Sequence, residues 1–192
     1  ESYVPEEKEE RMELAITTAA SIAYLLQMSG EQVGMITNAR DAADVARYEV
    51  AQQEALSRAE ADQSVLGEDE STRISPLSVA TARSPVQAMK IIENLARVLP
   101  GRGLDAERMV LSEFRRLPRD AALLPVVPIV TESFALTLAL MKESGFNVTV
   151  FFVKHQRGYE EAARLLAPYD IHVFHIEHEW NLHEISPAKI GQ

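Results

Sequence analysis

Apolar positions along the chain fall first at helical spacing and later in short continuous runs, and the switches between the two mark the elements. Leu14, Ile16, Ala20, Ile22, Ala23, Leu25 and Leu26 make a wide apolar face that predicts one long helix over Pro5–Met28. Glu6, Glu7, Glu9 and Glu10 place negative charge at its start, which suits the positive end of the helix dipole. Ser29-Gly30 stops it. Gln32–Thr37 reads as a short buried strand, with Gly34 marking a close approach of backbone. From Arg40 to Leu66 the pattern dissolves into Ala, Glu, Gln, Asp and Arg, the composition of one or two solvated helices ending near Gly67. Residues 40–72 are therefore predicted to be a helical surface insertion, closed by the polar loop Glu68–Thr72.

Arg73–Ala80 predicts a strand that Pro76 confines to an edge or a bulge. Ser84-Pro85-Val86-Gln87 has the form of a helix start, with serine as cap, proline at the first helical position and glutamine closing a capping box. Val86, Met89, Ile92, Leu95 and Val98-Leu99 are expected to face inward before Pro100-Gly101 breaks the run. Asp105–Leu117 predicts a further helix with Met109, Leu111, Phe114 and Leu117 as its apolar face. Regular alternation follows: strand Val126–Val130, helix Phe134–Glu143, strand Asn147–Val153, helix Gly158–Leu166, strand Ile171–Ile176. Strands alternating with helices imply crossovers and a parallel sheet covered on both faces, a Rossmann-like α/β fold.

With 192 residues the chain suits a single domain. A net charge of −10 repels a phosphate backbone, so nucleic acid is not an expected partner. The absence of cysteine removes disulfides and thiolate metal sites, which suits a cytoplasmic setting. No apolar run approaches the roughly 20 residues that span a bilayer, so no membrane contact is expected of these residues. The chain opens on Glu1 rather than methionine and is expected to be a fragment of a longer protein.

Candidate chemistry gathers at Thr131-Glu132-Ser133, where a strand-like run stops and a helical one begins. In open α/β sheets ligands bind beyond the carboxyl ends of strands. Thr131 and Glu132 offer hard oxygen donors of the kind magnesium takes. On the other reading, Ser133 caps the following helix and Glu132 favours its dipole. His172, His175, His178 and His183 lie close together beside Glu177, Glu179 and Glu184 and could in principle hold zinc or nickel. Strand alternation, however, sends His172 and His175 to opposite faces. Arg115, Arg116 and Arg119 make a basic patch suited to a phosphate, an acidic partner or a solvated helix end. Trp180, the single tryptophan, would anchor an interface or clamp the C-terminal turn onto the domain. Gly101-Arg102-Gly103 lacks the context of a dinucleotide fingerprint, no phosphate loop exists, and Ser133 lies outside a Gly-x-Ser-x-Gly elbow. No catalytic residue is expected.

The stretches MELAITTAASIAYLLQMSGEQVGMITNA, SPVQAMKIIENLARV, LPRDAALLPVVPIVTES, LALMKESGFNVTVFFV and IHVFHI together resemble family 58 of the bacterial domains of unknown function, whose core looks like a von Willebrand factor A domain. The resemblance covers most of the chain except Arg40–Thr72. It implies a single A-like domain over residues 1–192: a mostly parallel sheet with helices on both faces, lacking its first strand here. It also implies a non-enzymatic protein-interaction module that works with a MoxR-type AAA+ ATPase in assembly or maturation of a complex. The parent protein would be anchored in a membrane through segments outside this chain, and homo-oligomers are compatible. A-domains bind a divalent cation through an Asp-x-Ser-x-Ser motif after the first strand, a loop threonine and an aspartate after the fourth strand. Glu1-Ser2-Tyr3 does not reproduce that motif, and Glu132 stands at the aspartate position. The resemblance thus implies a degenerate metal site, with no cofactor and with Thr37, Asn38, Thr131, Glu132 and Ser133 as a contact surface. A gap, or a strand from another copy, is expected beside Gln32–Thr37 and Val126–Val130. The alternative is an α/β enzyme or a nucleotide- or magnesium-binding domain that uses the Thr131–Ser133 crevice.

Overall fold

The longest helix, α1, runs over Pro5–Met28 as its apolar spacing predicts, and Gly30, with a positive φ of 76°, terminates it. The computed structural model describes residues 5–42, 77–99, 105–114, 117, 118 and 121–186. The predicted insertion from residue 43 onward, the start of the Arg73–Ala80 strand, Gly101-Arg102-Gly103 and the arginines 115, 116 and 119 lie outside the described residues.

After α1 come β1 (Val33–Thr37), the two-residue β2 (Arg40–Asp41) and β3 (Leu77–Ala82). They are followed by α2 (Gln87–Leu95), β4 (Val98–Leu99) and α3 (Ala106–Glu113). Next are β5 (Ala122–Leu123), β6 (Val126–Val127), α4 (Glu132–Glu143), β7 (Asn147–Val153), α5 (Gln156–Leu166) and β8 (His172–Ile176). A 3-10 turn over Glu179–Glu184 closes the described chain.

The heart of the fold is a parallel sheet in which β7 lies between β8 and the broken strand β5/β6. β5 and β6 keep one register against β7, and Pro125 between them still accepts a hydrogen bond from Phe151 N at 2.8 Å. The strand predicted at Val126–Val130 therefore begins and ends earlier than its apolar run. Pro128 cannot donate to a ladder and Ile129 is exposed.

Helices cover both faces of this sheet. Val148, Val150 and Phe152 point into one core with Phe134, Leu138 and Met141 of α4 and Ala162 and Leu166 of α5. Phe151 and Val153 point into the other, against Ile22, Leu14 and Leu25 of α1. A strand buried on both faces needs apolar side chains at nearly every position, which is why Asn147–Val153 shows no alternation.

β1 belongs to a separate antiparallel ladder with β3, and β2 pairs with β4. The expectation of a short buried strand at Gln32–Thr37 is corrected, since only Val33 is buried and the rest of β1 is half-buried or exposed. The register slips between Val33 and Met35, leaving a bulge. Gly34 sits opposite it, and a Cβ there would lie 2.8 Å from Thr81 N, so this position takes no side chain without moving backbone. Gln87 is buried at the start of α2 and donates to Val33 O at 2.9 Å and to Ala80 O at 2.8 Å, satisfying carbonyls beside the bulge.

The predicted capping box at Ser84 gives way to this arrangement. The helix begins at Gln87, and Gln27 of α1 supplies the cap, accepting from Ala88 N at 2.6 Å and donating to Pro85 O at 2.9 Å. The inward face of α2 is accordingly Gln87, Ala88, Ile91 and Leu95, while Val86 and Met89, expected inside, are exposed. In α3, Val110 packs on the core and Leu111, also expected inside, is exposed.

Candidate functional site

The corner at Thr131 lies beyond the carboxyl end of β6 and is built by a helix cap. Thr131 is extended (φ −92°, ψ 162°), and its Oγ1 accepts from Phe134 N at 3.1 Å, which makes it the N-cap of α4. The cap was expected at Ser133. Ser133 instead falls inside the first turn, where its side chain projects back across the helix start.

A carboxylate that sequence reading does not pick out completes the corner. Glu107, in the first turn of α3, accepts from Thr131 Oγ1 at 2.8 Å and from Ser133 Oγ at 2.5 Å, both on the same oxygen, Oε1. The two hydroxyl oxygens lie 3.2 Å apart. Each hydroxyl carries one proton, and both are directed at Glu107. These bonds, Ser133 first and Thr131 second, hold the Glu107 carboxyl below the usual glutamate range, with Arg108 assisting and partial desolvation opposing. A helical Glu 24 residues upstream in a charged stretch carries no sequence mark of such a role. Only the packing of α3 on α4 creates it.

The chemistry open to this corner is limited. A general base works best with a pKa near the operating pH, and Glu107 is shifted the other way. The Ser133 proton is thus held, not withdrawn. As a cation site the corner offers one carboxylate whose Oε1 already takes both hydroxyl protons, whereas a hard cation such as magnesium asks for six oxygens in near-octahedral array. Glu132 is exposed and stands outside the hydrogen bonds that join the other three residues. Among the described residues no group of three or more His, Asp or Glu converges on a point, and the corner does not fit a resident cation.

The other candidates are dispersed. Thr37 is half-buried at the end of β1, where its Oγ1 accepts from Ala39 N at 3.2 Å in a local turn, and Asn38 beside it is exposed. β1 pairs with β3 and not with β6, so no strand ladder draws Thr37 and Asn38 to Thr131.

The histidines take separate posts. His175 Nε2 meets Lys154 O at 2.6 Å while its ring stacks on Tyr159, His172 lies edge-on to Phe174, and His178 stacks on Trp180. His155, before α5, reaches Glu177 at 3.5 Å. Trp180 is 65% exposed, so the expectation that it clamps the C-terminal turn is not met.

The fold and corner define an α/β protein with a parallel sheet, helices on both faces and a closed hydroxyl–carboxylate network at the sheet's carboxyl edge. Comparison of the chain with protein-family models, curated proteins and solved structures gives no match. No helix among the described residues is long and apolar enough to cross a membrane.

Proposed function

We propose that this chain is a non-enzymatic protein-interaction module of the A-like family 58 type, with a degenerate metal site, and that it works with a MoxR-type AAA+ ATPase. The observation that carries the reading is the division of the strands under α1. One stretch of that helix packs on both pieces: Ile16, Ala19, Ala20 and Ala23 toward β1 and β3, Leu14, Ala15, Ile22 and Leu25 toward β6, β7 and β8. Leu26 serves both. A helix with its side chains is roughly 10–12 Å across, and two strands flanking an empty strand position are about 10 Å apart. Among the described residues neither β1 nor β6 has a strand partner on its other side.

An additional strand between them, from chain outside these residues or from a second copy, would join the pieces into the A-like sheet. The rival reading, an enzyme or magnesium- or nucleotide-binding domain at Thr131–Ser133, has less support because Glu107 already occupies both hydroxyls.

The test is co-purification of the tagged protein with a MoxR-type ATPase from the same organism, with and without ATP. Enrichment of the ATPase over an untagged control is expected. Its absence in both states overturns the partner assignment. A rise in melting temperature with millimolar magnesium, which binding to the native state would produce, favours the rival.

A further inference from the structure

At the same carboxyl edge of the sheet, the start of α1 and the turn after β8 enclose an open groove of about 730 Å3. Glu9, Glu10 and Glu13 line it from α1, and Glu177 and Glu179 line it from the turn. Among the described residues no lysine or arginine lines it. The helix dipole explains only acidic groups in the first turn, because its effect fades beyond that turn. With the helix starting at Pro5, Glu9 and Glu10 fall in its second turn, which corrects the expectation that the dipole accounts for them, and Glu13 lies further on still.

The apolar part of the lining is Leu14 and Trp180, whose ring stacks at a centroid distance of 4.0 Å on His178, also in the lining. An indole left largely in water, stacked and held among carboxylates, is the arrangement that receives a cation over its face. Five carboxylates spread over two elements exceed what one ammonium group neutralises, so complementarity asks for several positive charges in one chain. Anionic lipid and nucleic acid are repelled by the same charges.

We propose that this groove binds a basic peptide segment of a partner protein, with an arginine or lysine side chain lying on Trp180 and further cations facing Glu9, Glu13 and Glu179. The proposal rests on the groove alone and stands whether or not the partner is an ATPase.

Trp180 is the chain's one tryptophan, so its emission reports binding at the groove directly. The full chain is titrated with an acetylated, amidated hexapeptide alternating arginine and glycine, which carries no fluorophore. A saturable change in emission is expected, with affinity falling as salt rises. The triple variant Glu9→Gln, Glu13→Gln, Glu179→Gln is expected to bind at least about ten-fold more weakly, since no single exposed pair contributes much. The control pair Glu31→Gln, Glu93→Gln, exposed elsewhere, removes charge without changing affinity. By calorimetry, Trp180→Ala weakens binding several-fold and Trp180→Phe restores part of it. All these positions are exposed, and circular dichroism checks that each variant folds.

No saturable change at millimolar peptide overturns the proposal. So does equal weakening in the triple variant and the control pair, which would mean attraction to net charge alone. Choline binding as tightly as the peptide would also overturn it, replacing the peptide with a small cation.

Discussion

Replacing Thr131 by alanine tests the corner's architecture more sharply than any change to its carboxylate. Thr131 Oγ1 satisfies Phe134 N, one of the amides at the start of α4 that no carbonyl within the helix can reach. Loss of a threonine cap costs about 1 kcal/mol, in a range of roughly 0.5–2. α4 supplies Phe134, Ala135, Leu138 and Met141 to the larger core, so fraying its first turn exposes apolar surface as well, which favours the upper half of that range. For a chain of this size about 1 kcal/mol lowers the melting temperature by roughly 2–4 °C. Ser133→Ala removes an exposed hydrogen bond but gains alanine's helix propensity, about 0.5 kcal/mol, and is expected to be close to neutral. Thr131→Ser keeps the accepting oxygen and should retain most of the stability. Thermal and urea unfolding followed by far-UV circular dichroism measure all three. If Ser133→Ala costs as much as Thr131→Ala in a Glu107→Ala background, where neither hydroxyl has its carboxylate, the cap has been assigned to the wrong residue and the geometry of the corner is wrong with it.

Two further outcomes follow from the hydrogen bonds. The Glu107 carboxyl is lowered in the folded state, so the stability it contributes is fully present above the ordinary glutamate range and is lost as pH falls through the lowered folded value. The melting-temperature gap between wild type and Glu107→Gln should therefore be widest at neutral pH and close on acidification. A gap that widens in acid would reverse the assigned direction. Gln87→Leu keeps the volume but strips Val33 O and Ala80 O of their donor, one buried and one partly buried, at a cost of about 2–4 kcal/mol in urea unfolding. A loss under about 0.5 kcal/mol would show that water or a shifted backbone satisfies those carbonyls.

What the sequence made legible is what local pattern determines. α1 and β7 were readable to the residue because each carries its signal within itself: a long apolar face ended by Ser29-Gly30 in the one, an unbroken apolar run buried on both sides in the other. The parallel sheet followed from the strand–helix alternation after Val126. The errors fall where a distant residue decides a local outcome. The start of α2 was misplaced because its cap comes from Gln27, 61 positions away, and a local capping box at Ser84 looked sufficient. Leu95 and Val98 are buried as their apolarity predicts, whereas Val86 and Met89 are exposed and Gln87 takes an inward position that its polarity does not suggest. The β5/β6 strand was read too late because Pro125 and Pro128 break the apolar run that marks it, although the ladder passes Pro125 through its carbonyl. Glu107 was invisible for the same reason, since nothing in its own neighbourhood distinguishes a carboxylate that will meet two hydroxyls from one that faces water.

Two acidic places at one sheet edge behave differently because of what their oxygens face. At Thr131 the single carboxylate is spent inward: both hydroxyl protons are taken up, the cap is made, and the corner gains order while losing donors to offer. At the groove the carboxylates face outward. Among the described residues Glu9, Glu10, Glu13 and Glu179 form no ion pair, and only Glu177 has a partner, the imidazole of His155 at 3.5 Å. Glu9, Glu10, Glu13 and Glu179 are exposed, so a cation arriving at the groove meets them from solvent without displacing a protein partner. One arriving at the corner would have to compete for an oxygen already accepting two hydrogen bonds. The carboxylates open to an incoming cation therefore lie beside Trp180, not at the Thr131 corner.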